Sequence, residues 1–179
     1  MDESFHQLAS EQQHRIFSLA RYLLGNAEDA ADVTQEVLLK LWQHWSELDL
    51  EIAPAWLRKV TRNASIDRIR QRKAYRSMVT EHIDPSAEER AVGQQPGPAQ
   101  SAAAAGFRRH LESTLAELPE PYRTAVVLRE IEELKYEEIS SCLDLPLNTV
   151  RTHIHRGRRI LRQRLREDYG YGENDHLHL

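Results

Sequence analysis

The segment between Asp84 and Gly106 limits what this chain of 179 residues can fold into more than any other feature. It reads DPSAEERAVGQQPGPAQSAAAAG, in which Val92 is the only large aliphatic residue and no aromatic residue occurs. A segment of this composition cannot bury a core and is typical of a flexible tether, although AQSAAAAGF is also compatible with the start of a helix. We therefore expect two small domains, a linker between them and a disordered acidic tail. The expected boundaries are residues 1–80, 81–106, 107–168 and 169–179.

Apolar residues on both sides of the linker recur at helical spacing, and no segment alternates with period two for long enough to predict a strand. The clearest stripes are Val33, Val37, Leu41 and Trp45 before the linker and Val150, Ile154, Leu161 and Leu165 after it. In a further helix that begins near Pro54, Leu57 and Ile66 fall on opposite sides. That helix is either covered on two sides or changes its packing partner midway. The predicted fold class is all-α.

Charge is segregated along the chain, although the formal net charge is only −4. Residues 54–78 contain eight Lys or Arg and one Asp, and residues 147–166 contain seven Arg and no acidic residue. Segments of this kind place positive potential against a polyanion even when the whole protein is acidic. The sequence therefore favours two contacts with nucleic acid over the alternative of two solvated basic surfaces.

The segment from Tyr136 to Arg159 has the pattern of a helix-turn-helix. A short amphipathic helix, YEEISSCL, precedes a turn around Asp144 and a long helix with a basic outer face. In such a motif the first residues of the second helix reach base edges in the major groove, while further Arg residues hold phosphates. The candidates for base contacts are Asn148, Thr149, Arg151 and Thr152. The candidates for backbone contacts are Arg156, Arg158, Arg159 and Arg162, and His155 completes the predicted DNA-binding set.

These motifs resemble a known family. ELPEPYRTAVVLREIEELKYEEISSCLDLPLNTVRTHIHRGRRILRQRL is similar to region 4, the promoter −35 reading domain, of bacterial sigma factors of the extracytoplasmic-function (ECF) group. NAEDAADVTQEVLLKLWQHW is similar to region 2.2 of the same sigma-70 family, and PAWLRKVTRNASIDRIRQRKA is similar to its regions 2.3 and 2.4. The resemblance covers both predicted domains in the family's order, with the linker where the family has one.

The resemblance implies a region 2 helical bundle, a region 4 helix-turn-helix domain and the function of an alternative sigma factor. Such a factor binds core RNA polymerase, directs it to promoters by their −10 and −35 elements and aids promoter melting. The family's DAxDxxQE pattern, whose helix docks on the polymerase β′ coiled coil, falls on Asp29, Asp32, Gln35 and Glu36. The residues expected at the −10 element are Arg58, Lys59, Arg62, Asn63, Arg68, Arg70, Arg72 and Lys73.

Further expectations come from the same resemblance. Region 4 is expected to contact the polymerase β flap, the loop SELDLEIA to accept a flipped −10 base, and an anti-sigma protein to be a partner.

Trp56 lies beside Leu57 and Val60, so we assign it to the core in preference to a base-stacking role.

The sequence departs from the family pattern in the recognition helix. Asn148 stands where the family usually has Gly, and His153 and His155 stand where it often has a basic or polar pair. Asn tolerates special backbone angles, so we expect the motif to survive, while the −35 bases it reads are left open. The alternatives are a free-standing helix-turn-helix repressor or activator, which would need a dimerisation surface, and a nuclease, which would need a carboxylate or His constellation. Neither feature is evident in the sequence.

No cofactor, metal, small-molecule substrate or enzymatic activity is expected. His176 and His178 could form a weak exposed metal site with Asp175, but a disordered tail is the preferred interpretation. The single cysteine, Cys142, is assigned to the core, and no apolar run approaches the ~20 residues needed to cross a bilayer. The start MDESFHQLASEQQ lacks the pattern of a secretory signal. The expected location is the bacterial cytoplasm, on the nucleoid within the holoenzyme, with an anti-sigma protein at the membrane as an alternative holding site.

Overall fold

The computed structural model describes residues 3–80 and 102–169, and no strand occurs within these ranges. The chain divides into two compact units, Met1–Pro98 and Ala99–Leu179, here called the N-terminal and C-terminal units. The predicted all-α fold class is confirmed. None of the described helices is both long and apolar enough to cross a membrane. The described residues also contain no group of three or more His, Cys, Asp or Glu that would hold a metal ion.

The described part of the N-terminal unit contains α1 (Glu3–Leu24), α2 (Ala27–His44) and α3 (Ala53–Thr80). α1 ends because Gly25 has a φ of 67°, which glycine adopts without strain, and its N–H donates to the carbonyl of Arg21 at 2.8 Å. Asn26 caps α2, since its side-chain oxygen accepts hydrogen bonds from the N–H groups of Glu28 and Asp29 at 2.8 and 3.1 Å. These two residues turn the chain so that α2 packs against α1.

The core of the N-terminal unit lies where α1 and α2 meet α3. The apolar residues of α2 that the sequence predicts for the core are buried at Val33, Val37 and Leu41 and half-buried at Trp45. α3 packs against both α1 and α2, and Leu57 and Ile66 are both buried although they lie on opposite sides of the helix. Both sides of α3 are thus buried, as each of the two alternatives requires.

The described part of the C-terminal unit contains α4 (Ala102–Glu117), α5 (Glu120–Glu130), α6 (Tyr136–Leu143) and α7 (Leu147–Tyr169). α4 begins inside the segment 81–106 that was assigned to the linker, in agreement with the helical alternative for AQSAAAAGF. Residues 81–101 lie outside the described residues, as does the tail from residue 170 onward with its two histidines. The linker and tail boundaries therefore stay predictions.

α7 is the central helix of the C-terminal unit and packs against α4, α5 and α6. Its predicted apolar stripe is confirmed, because Val150, Ile154, Leu161 and Leu165 are all buried. α5 comes close to α7 at Gly157, where an added Cβ would lie 2.5 Å from Val126 Cγ2 and 3.0 Å from the carbonyl oxygen of Tyr122. Glycine inside a helix costs about 0.5–1 kcal/mol relative to alanine. The close approach of α5 explains why this position carries it.

α6 and α7 form the predicted helix-turn-helix. Asp144 adopts a left-handed conformation with φ 52° and ψ 42°, which ends α6. The turn is closed twice between the same two residues: the N–H of Leu145 donates to the carbonyl of Ser140 at 3.1 Å, and the Ser140 hydroxyl donates to the carbonyl of Leu145 at 2.5 Å. Cys142 is buried on α6, as predicted.

A half-buried arginine connects the end of α4 to α5. Arg123 donates from Nη2 to the backbone carbonyls of Ala116 and Leu118, the latter at 3.0 Å. Burial lowers the pKa of its guanidinium below the ordinary value, and the charge of Glu120 opposes that shift. Two backbone carbonyls at the end of α4, which have no partner within the helix, thereby gain a donor.

Candidate nucleic-acid and protein interfaces

The outer face of α7 carries most of the predicted DNA-binding residues. Residues three and four apart share a face of a helix, and such a stripe runs along the exposed side of α7. This basic stripe consists of Asn148, Arg151, Thr152, His155, Arg159, Arg162 and Arg166. Its N-terminal end holds short hydrogen-bonding side chains and its length is basic, which suits base contacts at one end and phosphate contacts along the rest. Arg166 is not among the predicted residues, although its spacing alone places it here.

The other predicted residues of α7 lie toward neighbouring parts of the unit. Arg158 forms an ion pair with Glu130 of α5, with Nε and Nη2 at 2.7 and 2.5 Å from Oε1. Arg156 donates to the hydroxyl of Tyr122 at 3.3 Å. Thr149 is half-buried at the start of the helix. Arg158 is thus engaged within the unit, and Arg156 lies at the edge of the basic stripe.

Tyr122 fastens α5 to the side of α7. Its ring lies edge-on to that of His153 with the centroids 5.5 Å apart, and its hydroxyl accepts the hydrogen bond from Arg156. His153 therefore packs within the unit, whereas His155 is exposed on the basic stripe. The two histidines that depart from the family pattern have different surroundings, and only His155 is exposed to solvent.

A second stripe runs along the outer face of α2. This α2 stripe consists of the exposed residues Glu28, Asp32, Gln35, Leu39 and Trp42. Leu39 and Trp42 expose 56% and 48% of their surface, and large apolar side chains exposed beside polar ones are typical of protein–protein contacts. The steps along the stripe alternate between four and three residues, which is the spacing by which helices pack in coiled coils.

Leu39 and Trp42 are not among the residues predicted from the sequence for a protein contact. Trp42 follows Leu41 directly in the sequence and so lies next to the predicted apolar stripe of α2. One residue corresponds to about 100° on a helix, so Leu41 is buried while Trp42 points outward and meets the ring of Phe5 edge-on at 5.1 Å. The sequence does indicate this exposed position, because Trp42 is three residues from Leu39 and neither residue belongs to the buried stripe of Val33, Val37 and Leu41.

The DAxDxxQE residues do not share one environment. Asp32, Gln35 and Glu36 are exposed, and Glu36 pairs with Lys40 at 2.7 Å. The side chain of Asp29 is only 13% exposed and contacts arginines of α3. Three of the four predicted polymerase-binding residues are thus accessible on α2, and Asp29 lies between the helices.

The residues of α3 predicted for the −10 element also divide into two groups. Asn63, Arg70 and Lys73 are exposed, and Arg58, Lys59, Arg62, Arg68 and Arg72 are half-buried. Arg62 donates to Asn63 Oδ1 at 2.8 Å, which places its guanidinium along the exposed face. Arg70 contacts Asp67 at 3.5 Å, with both side chains mostly in solvent. The exposed face of α3 is therefore basic in both halves.

The N-terminal end of α3 has an apolar rim. Trp56 is half-buried, packs against the core cluster and lies 5.6 Å from the ring of His44 between centroids. Leu50 and Ile52, in the loop that precedes α3, are largely exposed. Trp56 therefore lies at the edge of the core. The loop is the one that the resemblance associates with a flipped −10 base.

Two family models match the chain in the order of its two units. Sigma-70 region 2 matches residues 8–75, and Sigma-70, region 4 matches residues 108–161. The chain is 35% identical over 162 residues to the ECF RNA polymerase sigma factor SigE of Mycolicibacterium smegmatis, covering 90% of this chain and 62% of that relative. It is 30% identical over 158 residues to the ECF RNA polymerase sigma factor SigM of Bacillus subtilis, covering 87% and 90%. The chain belongs to the ECF sigma factors.

The sigma factor also shares its fold with a solved structure. The sigma factor RpoE from Bartonella quintana, in complex with the anti-sigma factor NepR, matches with a TM-score of 0.74 at 20% identity, covering 93% of this chain and 99% of that one. Family membership decides against the free-standing repressor and the nuclease. In this sigma factor the α2 stripe and the basic face of α3 lie in region 2, and the basic stripe of α7 lies in region 4.

Proposed function

We propose that this sigma factor binds core RNA polymerase through the α2 stripe, holds the melted −10 strand on α3 and places α7 in the major groove of the −35 element. The observation that carries the proposal is the presence of two separate basic helical faces together with a mixed polar and apolar stripe on α2. A repressor that binds duplex DNA alone would need one basic face and would leave the other two surfaces without a partner.

The α2 stripe suits docking on another helix. Carboxylate and amide groups at Asp32 and Gln35 can pair with arginine side chains of a partner helix and set its register. Leu39 and Trp42 add apolar area that is lost from water on docking. The coiled-coil spacing of the stripe favours the β′ coiled coil as the partner. Asp29 contributes from beneath the surface, by its contacts with α3.

The face of α3 suits a separated strand. Arg58, Lys59, Arg62, Arg70 and Lys73 provide positive charge along one side, which attracts phosphates irrespective of sequence. Asn63 offers both a donor and an acceptor to a base edge. The apolar rim formed by Leu50, Ile52 and Trp56 can receive a base that has left the stack. Promoter melting follows because these contacts favour the single strand over the duplex.

The basic stripe of α7 suits the −35 duplex, with Asn148, Arg151 and Thr152 toward the bases and Arg159, Arg162 and Arg166 toward the phosphates. The C-terminal unit would also contact the β flap. No catalytic step is assigned to the chain, because RNA synthesis belongs to the polymerase. The site of action is the bacterial cytoplasm. An anti-sigma factor is a further partner, as in the Bartonella quintana complex.

Run-off transcription with purified core polymerase tests the whole proposal. Core enzyme is incubated with a pool of genomic promoter fragments, with and without the protein, and the 5′ ends of the transcripts are mapped. We expect new start sites that share a spaced pair of −35 and −10 sequences. Absence of binding to core polymerase, combined with footprints on palindromic duplexes, would overturn the proposal in favour of a repressor.

Replacing Trp42 by alanine should weaken binding to core polymerase by about 1–2 kcal/mol, or roughly 5- to 30-fold. The physical reason is that a large, half-exposed aromatic side chain in the last turn of the docking helix contributes most of its energy when the partner covers it. Binding is measured by fluorescence anisotropy of the labelled sigma factor titrated with core enzyme.

Tyr75→Ala is the matched control, since Tyr75 is an exposed aromatic residue of the same unit that lies on α3 and off the α2 stripe. Its affinity for core enzyme should equal that of the unmodified protein. Equal affinities for all three proteins would show that the α2 stripe is not the docking surface.

A further inference from the structure

We propose that Arg68 and Arg72 are positioning residues, which hold the carboxylates of α2 in place and so fix the polymerase-binding helix against the −10 helix. This inference rests on the proposed function. It reassigns two of the arginines expected at the −10 element from DNA contact to an ion-pair cluster within region 2. That cluster, here called the α2–α3 clamp, consists of Asp29, Asp32, Arg68 and Arg72.

The clamp is continuous from the interior to the surface. Arg72 Nη2 is in direct contact with Asp29 Oδ2, and Arg68 Nε lies 3.8 Å from Asp29 Oδ1. Arg68 also donates from Nη2 to Asp32 Oδ2 at 3.0 Å. Arg68 therefore bridges the covered carboxylate of Asp29 and that of Asp32, which is 61% exposed. One guanidinium thus connects the inside of the unit to the α2 stripe.

The position of Asp29 makes the clamp specific. Asp29 lies in the first turn of α2, and its N–H is bonded by the cap residue Asn26, so its place relative to the helix start is set by the backbone. With 13% of its side chain exposed, its carboxylate depends on α3 for neutralisation. The side chain of Arg72 is 41% exposed, so the covered member of the pair is the carboxylate, and removal of the arginine leaves that covered charge without its nearest cation, which costs more than the pair itself contributes.

The same argument separates these arginines from their neighbours. If Arg72 moved to a promoter phosphate, Asp29 would be left poorly solvated and without its nearest cation. Arg70 lies on the same helix with 76% of its side chain exposed, and its contact with Asp67 is a 3.5 Å pair at the surface. Lys73 is also exposed. Those two residues can reach phosphates without leaving a buried charge behind, so they are matched controls.

The test measures the salt dependence with which the holoenzyme binds a fork-junction promoter DNA that carries the −10 strand unpaired. The logarithm of the binding constant falls as the logarithm of the salt concentration rises, and each lost phosphate contact reduces the steepness of this slope by about 0.7–0.9. Arg70→Gln and Lys73→Gln should lower the slope by that amount. Arg68→Gln and Arg72→Gln should leave the slope unchanged.

A second readout concerns the affinity for core polymerase. Arg68→Gln and Arg72→Gln should weaken core binding by about two- to tenfold, although both residues lie on the DNA-binding helix, because Asp32 and the α2 stripe lose their support. Arg70→Gln and Lys73→Gln should leave it unchanged. Measurement well below the unfolding temperature ensures that a mere loss of stability does not alter the affinity.

Rescue gives the third readout. Arg72→Lys keeps the positive charge and should restore most of the core affinity. Adding Asp29→Asn to Arg72→Gln removes the uncompensated carboxylate, so the double variant should unfold at a higher temperature than Arg72→Gln alone. A double variant that is less stable than Arg72→Gln would overturn the clamp. A salt dependence that becomes shallower for Arg68→Gln and Arg72→Gln, as it does for Lys73→Gln, would also overturn it. Failure of the unmodified protein to bind core polymerase would instead overturn the proposed function.

Discussion

Replacing Gly157 by alanine should destabilise the C-terminal unit by about 1–3 kcal/mol, and replacing it by valine should destabilise it further. The added Cβ would lie 2.5 Å from Val126 Cγ2 and 3.0 Å from the carbonyl oxygen of Tyr122. Neither atom can withdraw easily, since Val126 is buried with a side chain that is stiff in a helix, and the carbonyl belongs to the backbone of α5. The clash outweighs the gain of about 0.5–1 kcal/mol in helix propensity.

Hydrogen exchange resolved by residue is the appropriate measurement, because the three tryptophans, Trp42, Trp45 and Trp56, all lie in the N-terminal unit and their fluorescence does not report on α7. Exchange should accelerate in α5, α6 and α7 while α1 to α3 keep their protection. Transcription that depends on the −35 element should fall as the C-terminal unit loses stability. Binding of the holoenzyme to a −10 fork junction should persist.

Gly106→Ala is the internal control for this prediction. Gly106 lies in α4, and no described atom comes within 4 Å of the position that its Cβ would take. That substitution should therefore stabilise α4 by about 0.5–1 kcal/mol through helix propensity. Equal effects of the two substitutions would show that the close approach at Gly157 does not limit the packing of α5 on α7.

Replacing Arg151 by alanine should reduce binding of the holoenzyme to the −35 element by about 1–3 kcal/mol, or roughly 5- to 150-fold. Arg151 is exposed near the start of α7, and its guanidinium lies 3.5 Å from Asn148 Oδ1, at the end of the basic stripe assigned to the bases. The loss should be measured by electrophoretic mobility shift on the native promoter and on one with a scrambled −35 element. If Arg151 contacts a base, the difference in affinity between the two promoters should be smaller for Arg151→Ala than for the unmodified protein.

Arg164→Ala controls for loss of charge from the same helix. Arg164 is on the other side of α7 and lies 4.0 Å from Glu117 of α4. Its removal changes the net charge by the same amount and should change −35 affinity less than about twofold, since a surface pair contributes little and faces away from the stripe. Similar losses from the two variants would indicate a general electrostatic effect, in contradiction of a specific role for Arg151.

Much of the candidate site follows from helical spacing. The stripe on α7 can be written down from the sequence, because residues three and four apart share a face, and Arg166 could have been included on that ground. Trp42 and Leu39 could also have been found in this way, once Leu41 was taken as buried. The ion pair of Arg158 could not have been predicted in this way, because its partner Glu130 is on another helix and no spacing within α7 indicates that the guanidinium is paired.

The sequence by itself determined that the described chain is all-α, that a helix-turn-helix lies in its C-terminal part, and which family it belongs to. The fold class and the helix-turn-helix are consequences of local periodicity, turn chemistry and charge along the chain, whereas the family follows from the resemblance of three segments to its regions 2.2, 2.3–2.4 and 4. Only the tertiary structure decided which charges are already engaged: Asp29 with Arg68 and Arg72, and Glu130 with Arg158. The physical reason is that an ion pair between helices depends on how they cross, and the crossing is set by packing of the whole core rather than by the residues that the pair contains.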